Sequence, residues 1–171
     1  MLALTLVQPW AELIVRGPKR VENRTWQPHG LRVGGYLAIH AGKRLDADCW
    51  HGAVETAICA GLLASLPVLA KFDQTPPKKR GDRFDPEKAY VQNAVPYSAI
   101  VGVARLAGVE REEPADGDPW WFGPVGWRLD DVVAIDPVPC SGAQGLWALD
   151  EATYQAVRAA WKAARSGAVR A

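Results

Sequence analysis

The sequence predicts an α+β protein: a small β-barrel or curled sheet of about five to six strands with helices packed at its rim. Short segments with apolar residues at every second position recur along the chain. Three stretches of helical period are dispersed among them instead of alternating with them strand by strand. No internal repeat or linker interrupts the 171 residues, so 1–171 reads as one domain of ordinary length, with a long irregular loop at about 67–96.

Leu2, Leu4 and Leu6 alternate with small or polar residues and predict a first strand. Gln8-Pro9 opens a helix, because proline suits the first helical turn. Trp10, Leu13 and Ile14 form its apolar stripe, and Gly17-Pro18 ends it. Arg20 to Trp26 reads as extended, with Arg20, Glu22, Arg24 and Trp26 on one face and Val21, Asn23 and Thr25 on the other. Tyr36 to Ala41 is a further strand, closed by a turn at Gly42-Lys43. Asp46 or Asp48 can cap the next helix, whose stripe is Val54, Ile58 and Leu62.

From Pro67 to Pro96 no period survives, and loops of that length are uncommon in compact domains unless functional or mobile. Within it, Lys78-Lys79-Arg80 reads as a solvated run or as a contact to a phosphate backbone. Ser98 to Leu106 predicts a buried strand, Glu110 to Asp118 a solvated acidic loop, and Gly126 to Ile135 and Gly145 to Leu149 two more strands. Asp150-Glu151 starts a last helix with Tyr154, Val157, Trp161 and Ala164 on its apolar side.

Composition narrows the functional classes. Apolar residues make up 49% of the chain, enough for a core, while the formal net charge of +1 supplies no global basic field. Any nucleic-acid contact must come from a local patch. The longest apolar run, Ala57 to Ala70, is interrupted by Ser65 and Pro67 and is too short to span a bilayer. The first residues show neither a cationic region nor a small-residue cleavage site, so a cytoplasmic protein without membrane contact is expected. Cys49, Cys59 and Cys140 form no C-x-x-C pair, and His29, His40 and His51 are not spaced with them as metal ligands. No metal and no cofactor are expected.

Chemistry concentrates in Gly17-Pro18-Lys19-Arg20-Val21-Glu22-Asn23-Arg24-Thr25-Trp26. One reading is a charged edge strand whose ion pairs contribute about 0–1 kcal/mol each. The other is a pocket wall: Lys19 and Arg24 meet phosphate or base edges, Glu22 accepts from a base amino group or activates a hydroxyl, and Trp26 stacks on a base. A carboxylate near Lys19 favours its charged form, so Lys19 suits an anchor or proton donor, and Glu22 is the better base of the two. Both are candidate catalytic residues. Trp10 joins the candidate binding residues from the first helix, and His40 and Lys43 from the strand end, where His40 reads equally as a satisfied structural residue. Of the eight tryptophans, Trp147 and Trp161 read as core. Trp120-Trp121-Phe122 reads as a plug at the barrel end or as a contact patch for a protein partner.

The opening block Leu4-Thr5-Leu6-Val7-Gln8-Pro9-Trp10-Ala11-Glu12-Leu13-Ile14, followed by Gly17-x-Lys19-x-x-Glu22-x-Arg24, resembles the ASCH domain family of the PUA-like superfamily. The blocks Ala38-Ile39-His40-Ala41-Gly42-Lys43, Gly126-Trp127 and Pro139 to Trp147 are similar to later blocks of its bacterial and phage members. The resemblance implies a PUA-like β-barrel with a cleft between the first helix and the sheet, lined by the signature residues. It implies a protein that binds RNA, a nucleotide or a modified nucleoside. In other members it implies coactivator-type protein partnership, ribonuclease activity without a metal, or amide hydrolysis of acylated cytidine nucleosides. In the amidohydrolase branch the third residue after the lysine is a threonine; this chain carries Glu22 there.

Overall fold

The computed structural model describes residues 1–46, 95–115 and 117–168. The expected helix after Asp46, most of the 67–96 loop, and Cys49, Cys59 and His51 lie outside the described residues. The elements are β1 (Leu2–Gln8), α1 (Trp10–Val15), β2 (Val21–Arg24), β3 (Tyr36–Leu45), β4 (Ala99–Glu110), β5 (Val125–Pro139), β6 (Leu146–Ala148) and α2 (Glu151–Ala168).

The strands form one six-stranded sheet in the order β2-β5-β4-β3-β1-β6. β1 and β3 run parallel, and every other pairing is antiparallel. Among the described residues the sheet stays open, with β2 and β6 at its edges. The α+β class therefore holds, as a small barrel-like sheet that is not closed among the described residues.

Both faces are covered, which the alternation of side chains makes necessary. On one face Leu4, Leu6, Leu37, Ile39, Leu106 and Trp127 pack with Ala11, Ile14 and Val15 of α1. On the other, Ala3, Ala38, Ile100, Val103 and Ile135 pack with Val157 of α2, flanked by Tyr154, Trp161 and Ala164. Burying each large aliphatic side chain contributes about 1.5–3 kcal/mol. Asp150 caps α2 by accepting from the Thr153 N–H at 2.9 Å. At the far end of α2, Arg165 pairs with Asp131 and lies over the Trp161 ring at 5.1 Å.

Three strands run further than their patterns announce: β3 past Ala41, β4 past Leu106 to Glu110, and β5 past Ile135 to Pro139. β3 passes through Gly42-Lys43 instead of turning there. A Cβ at Gly42 would lie 3.2 Å from the Leu6 carbonyl oxygen, so the glycine permits close approach of β1 and β3. β5 continues through Asp130-Asp131, where its register with β4 shifts and Asp131 takes a φ of 43°.

α1 is short, and side chains complete both its ends. Gln8, wholly buried, accepts from the Glu12 N–H at 3.2 Å and donates to the Pro96 carbonyl at 2.8 Å. Arg20 donates to the carbonyls of Ile14, Gly17 and Lys19 at 3.1, 2.8 and 2.9 Å. Arg20 thus satisfies one C-terminal carbonyl of the helix and two of the turn that follows, and does not share the face of Glu22 and Arg24. The consequence is local: the chain turns tightly after Gly17 and delivers Lys19 to the interior.

Candidate nucleic-acid interface

A cavity of about 460 Å³ opens beside this turn. β1 contributes Thr5, α1 contributes Trp10, and the signature segment contributes Lys19, Glu22, Asn23 and Arg24. Arg44 of β3, Phe122 and the 143–145 loop complete its walls.

Lys19 is only 2% exposed. Its Nζ donates to the Val21 carbonyl and, at 3.0 Å, to Glu22 Oε2. It also stands 5.8 Å from the centroid of the Trp10 ring. The other carboxylate oxygen, Glu22 Oε1, is 3.1 Å from Arg24 Nη2. Arg24 Nη2 also donates to the Thr5 carbonyl at 3.3 Å, while its Nε is a buried donor with no acceptor among the described residues. Three of the four groups expected to converge therefore do so, as a cation–carboxylate–cation row along one wall.

The row carries one excess positive charge, and Arg44 adds a second. Arg44 is exposed at the rim and has no ion-pair partner among the described residues. Both oxygens of Glu22 are engaged, so it acts as the anchor that holds two cations in place.

The remaining candidates are placed differently. Trp10 lines the cavity, with its Nε1 donating to Asp46 Oδ2 at 3.1 Å. Trp26 is outside the lining: it is half-buried, edge-on to Trp127 with centroids 4.8 Å apart, and its carbonyl accepts from Trp127 Nε1 at 3.2 Å. Lys43 is exposed and also outside the lining. With β3 continuous, neighbouring residues face opposite ways, and Arg44 takes the place beside the cavity. Sequence reasoning missed Arg44 because it put a turn where a strand runs.

His40 is 1% exposed and sits beneath the 141–145 loop, outside the cavity lining. Its Nε2 is 3.1 Å from the Cys140 carbonyl, which can only accept, so Nε2 carries the proton and Nδ1 is bare. Nδ1 has no partner among the described residues, and Trp147 packs edge-on at 5.7 Å. A Cβ at Gly142 would lie 2.6 Å from Nδ1 and 2.7 Å from Thr5 Oγ1, so only glycine lets the loop close over both. Trp147 Nε1 donates to the same Thr5 hydroxyl at 3.1 Å. His40 thus supports the loop that forms a cavity wall.

Burial pushes the His40 imidazole below its ordinary value, which gives stability a definite pH dependence. The unfolded chain binds a proton near pH 6.5 that the folded one rejects, so stability is lost as pH falls below about 6.5. Burial pushes the Glu12 carboxyl up, and that group acts with the opposite sign. The comparison must therefore be made against wild type. His40→Gln, which keeps a donor for the Cys140 carbonyl, is expected to flatten the wild-type loss of unfolding free energy between pH 7 and pH 5. Urea unfolding across that range checks it; parallel curves would show that His40 does not set the slope.

Asn23 fixes the opposite wall. Its Nδ2 donates to the Trp120 carbonyl and its Oδ1 accepts from the Phe122 N–H, both at 2.9 Å. Trp120 is buried, and Trp121 packs so closely on Gly126 that a Cβ there would lie 2.1 Å from the ring. The first two aromatics of this segment are a plug, whereas Phe122 is 62% exposed at the cavity mouth.

Fold and site define a class: an α+β sheet, open among the described residues, with a signature-lined, cation-rich cavity between the first helix and the sheet. A family model for the ASCH domain matches residues 4–117, and the chain belongs to that family, whose PUA-like domains bind nucleic acid in general terms. The solved structures it resembles include ASCH from Zymomonas mobilis, at 14% identity and TM-score 0.47, covering 92% of this chain and 93% of that one. Two mutant forms of that protein, one tyrosine-to-phenylalanine and one serine-to-alanine, are also 14% identical. They give TM-scores of 0.48 and 0.49, with 92% of this chain and 96% and 94% of theirs covered. Comparison with curated proteins finds no match. No described helix is long and apolar enough to cross a membrane, and no described cluster of three or more His, Cys, Asp or Glu residues could hold a metal ion.

Proposed function

We propose that this ASCH domain binds single-stranded RNA, or a nucleotide or modified base presented singly, in the cavity beside Lys19. The observation that carries the reading is the unbalanced charge of the site: among the described residues, Arg24 keeps a buried Nε–H without an acceptor, and Arg44 stands at the rim without a carboxylate. Phosphate and carbonyl oxygens supply what both lack. A cavity of about 460 Å³ suits one nucleotide unit rather than a duplex.

Binding is favoured over hydrolysis by the same geometry. A ribonuclease of this site would use Glu22 to deprotonate a 2′-hydroxyl and Lys19 or His40 to protonate the leaving oxygen. Glu22 is held by two cations, and His40 is outside the cavity lining. Acylated-cytidine hydrolysis would use Lys19 with a threonine where Glu22 stands. A coactivator-type partner patch is supported less, since Trp120 is buried and Trp121 is half-buried against Gly126.

The test is titration of an unstructured RNA oligomer in EDTA at several salt concentrations. Binding is expected to weaken linearly in log–log form with salt, and the RNA is expected to be recovered intact. Arg44→Ala, at an exposed position, is expected to lower the magnitude of the salt slope by about 1. No binding at low salt, or a slope unchanged in Arg44→Ala, would remove the proposal; cleaved RNA would move it to the ribonuclease reading.

A further inference from the structure

We infer that Phe122 is the surface on which an unpaired base stacks, an inference that rests on the RNA reading of the cavity and names the feature of RNA it selects. Phe122 lines the cavity, is 62% exposed, and meets no other aromatic ring among the described residues. The other aromatic of the lining, Trp10, already has the Lys19 ammonium near its ring and Asp46 on its N–H. Trp26 has an edge-on partner in Trp127. Phe122 is thus the ring of the site with a face left open.

Its placement is built, not incidental. An exposed phenyl at a loop tip gains little from burial, yet the backbone leading to it is fixed. The Asn23 side chain accepts from the Phe122 N–H and donates to the carbonyl of Trp120. Trp121, the residue between them, is wedged on Gly126. The same Asn23 sits between Glu22 and Arg24, so the ring and the cationic wall are held in one frame by adjacent residues of β2. Preorganisation of this kind lowers the ordering cost of binding. Stacking needs a base free of its duplex partner and accepts any base, so the ligand class is single-stranded and sequence-tolerant.

Removing the stack is expected to weaken binding of a short oligoadenylate RNA by about five- to a hundredfold. Phe122→Ala and Phe122→Leu should both show this loss, and Phe122→Trp and Phe122→Tyr should restore binding. The salt slope should stay at the wild-type value in all four, because no phosphate contact is removed. A residue that only shapes the loop would lower affinity and slope together, and neither aromatic would rescue it in preference to leucine. Wild-type affinity in Phe122→Ala and Phe122→Leu overturns the inference while leaving the RNA reading in place. A fall in the salt slope of Phe122→Ala also overturns it. Wild-type protein that binds no oligoadenylate at low salt overturns both.

Discussion

Replacing Glu22 with alanine is expected to destabilise the protein by about 3–5 kcal/mol, among the largest effects of any single change in the site. The carboxylate is buried and meets Lys19 at 3.0 Å and Arg24 at 3.1 Å. Without it, the Lys19 ammonium remains 2% exposed with, among the described residues, only the Val21 carbonyl and the Trp10 ring beside it. The loss comes mainly from that stranded charge, not from the value of the pair itself. In a chain of this size it corresponds to a fall in Tm of roughly 10 °C. Two companions separate the causes. Glu22→Gln keeps an acceptor and should cost less. The double change Lys19→Met with Glu22→Leu removes both charges together and should recover much of the stability, since well-packed apolar replacements of buried pairs are often neutral. Calorimetry of the three variants decides the matter: equal losses in all of them would mean that the wall is held by something other than these charges.

Trp127→Ala is expected to cost about 3–5 kcal/mol, the range for deleting a fully buried large aromatic. Trp127 is 0% exposed, packs in the core beneath α1, and pairs in register with Glu22. Its indole also holds Trp26 by an edge contact and a hydrogen bond. Among the described residues β2 is an edge strand that pairs with β5 alone, so a cavity under it loosens Glu22 and Arg24 together. The variant should therefore lose RNA affinity as well as stability. Val157→Ala, at a wholly buried position on the opposite face under α2, should lose stability without losing affinity. Urea unfolding with an unchanged m-value, alongside RNA titration, measures both. Equal affinity loss in the two variants would show a general softening instead of a local one.

The elements were largely legible in the sequence. Alternation at Leu2-Leu4-Leu6 and in Tyr36 to Ala41 marks strands whose two faces enter two different cores, and the stripe Tyr154-Val157-Trp161-Ala164 is the face α2 buries. What misled was local chemistry that serves a second purpose. Gly42 looks like a turn and is a close approach between strands. Arg20 looks like part of a recognition face and is the cap of α1. Trp26 looks like a free stacking ring and is occupied by Trp127, a partner 101 residues further along.

The sequence by itself predicted the α+β fold and gathered Lys19, Glu22 and Arg24 in one short segment, because side-chain periodicity and residue spacing act over a few residues. The tertiary structure decided the rest: the order of the described strands, the inward place of Lys19, the burial of His40 under Gly142, and the arrival of Arg44 and Phe122 at the cavity. Those features depend on which distant strands pair and how closely their backbones approach, and such contacts leave no periodic trace in either partner.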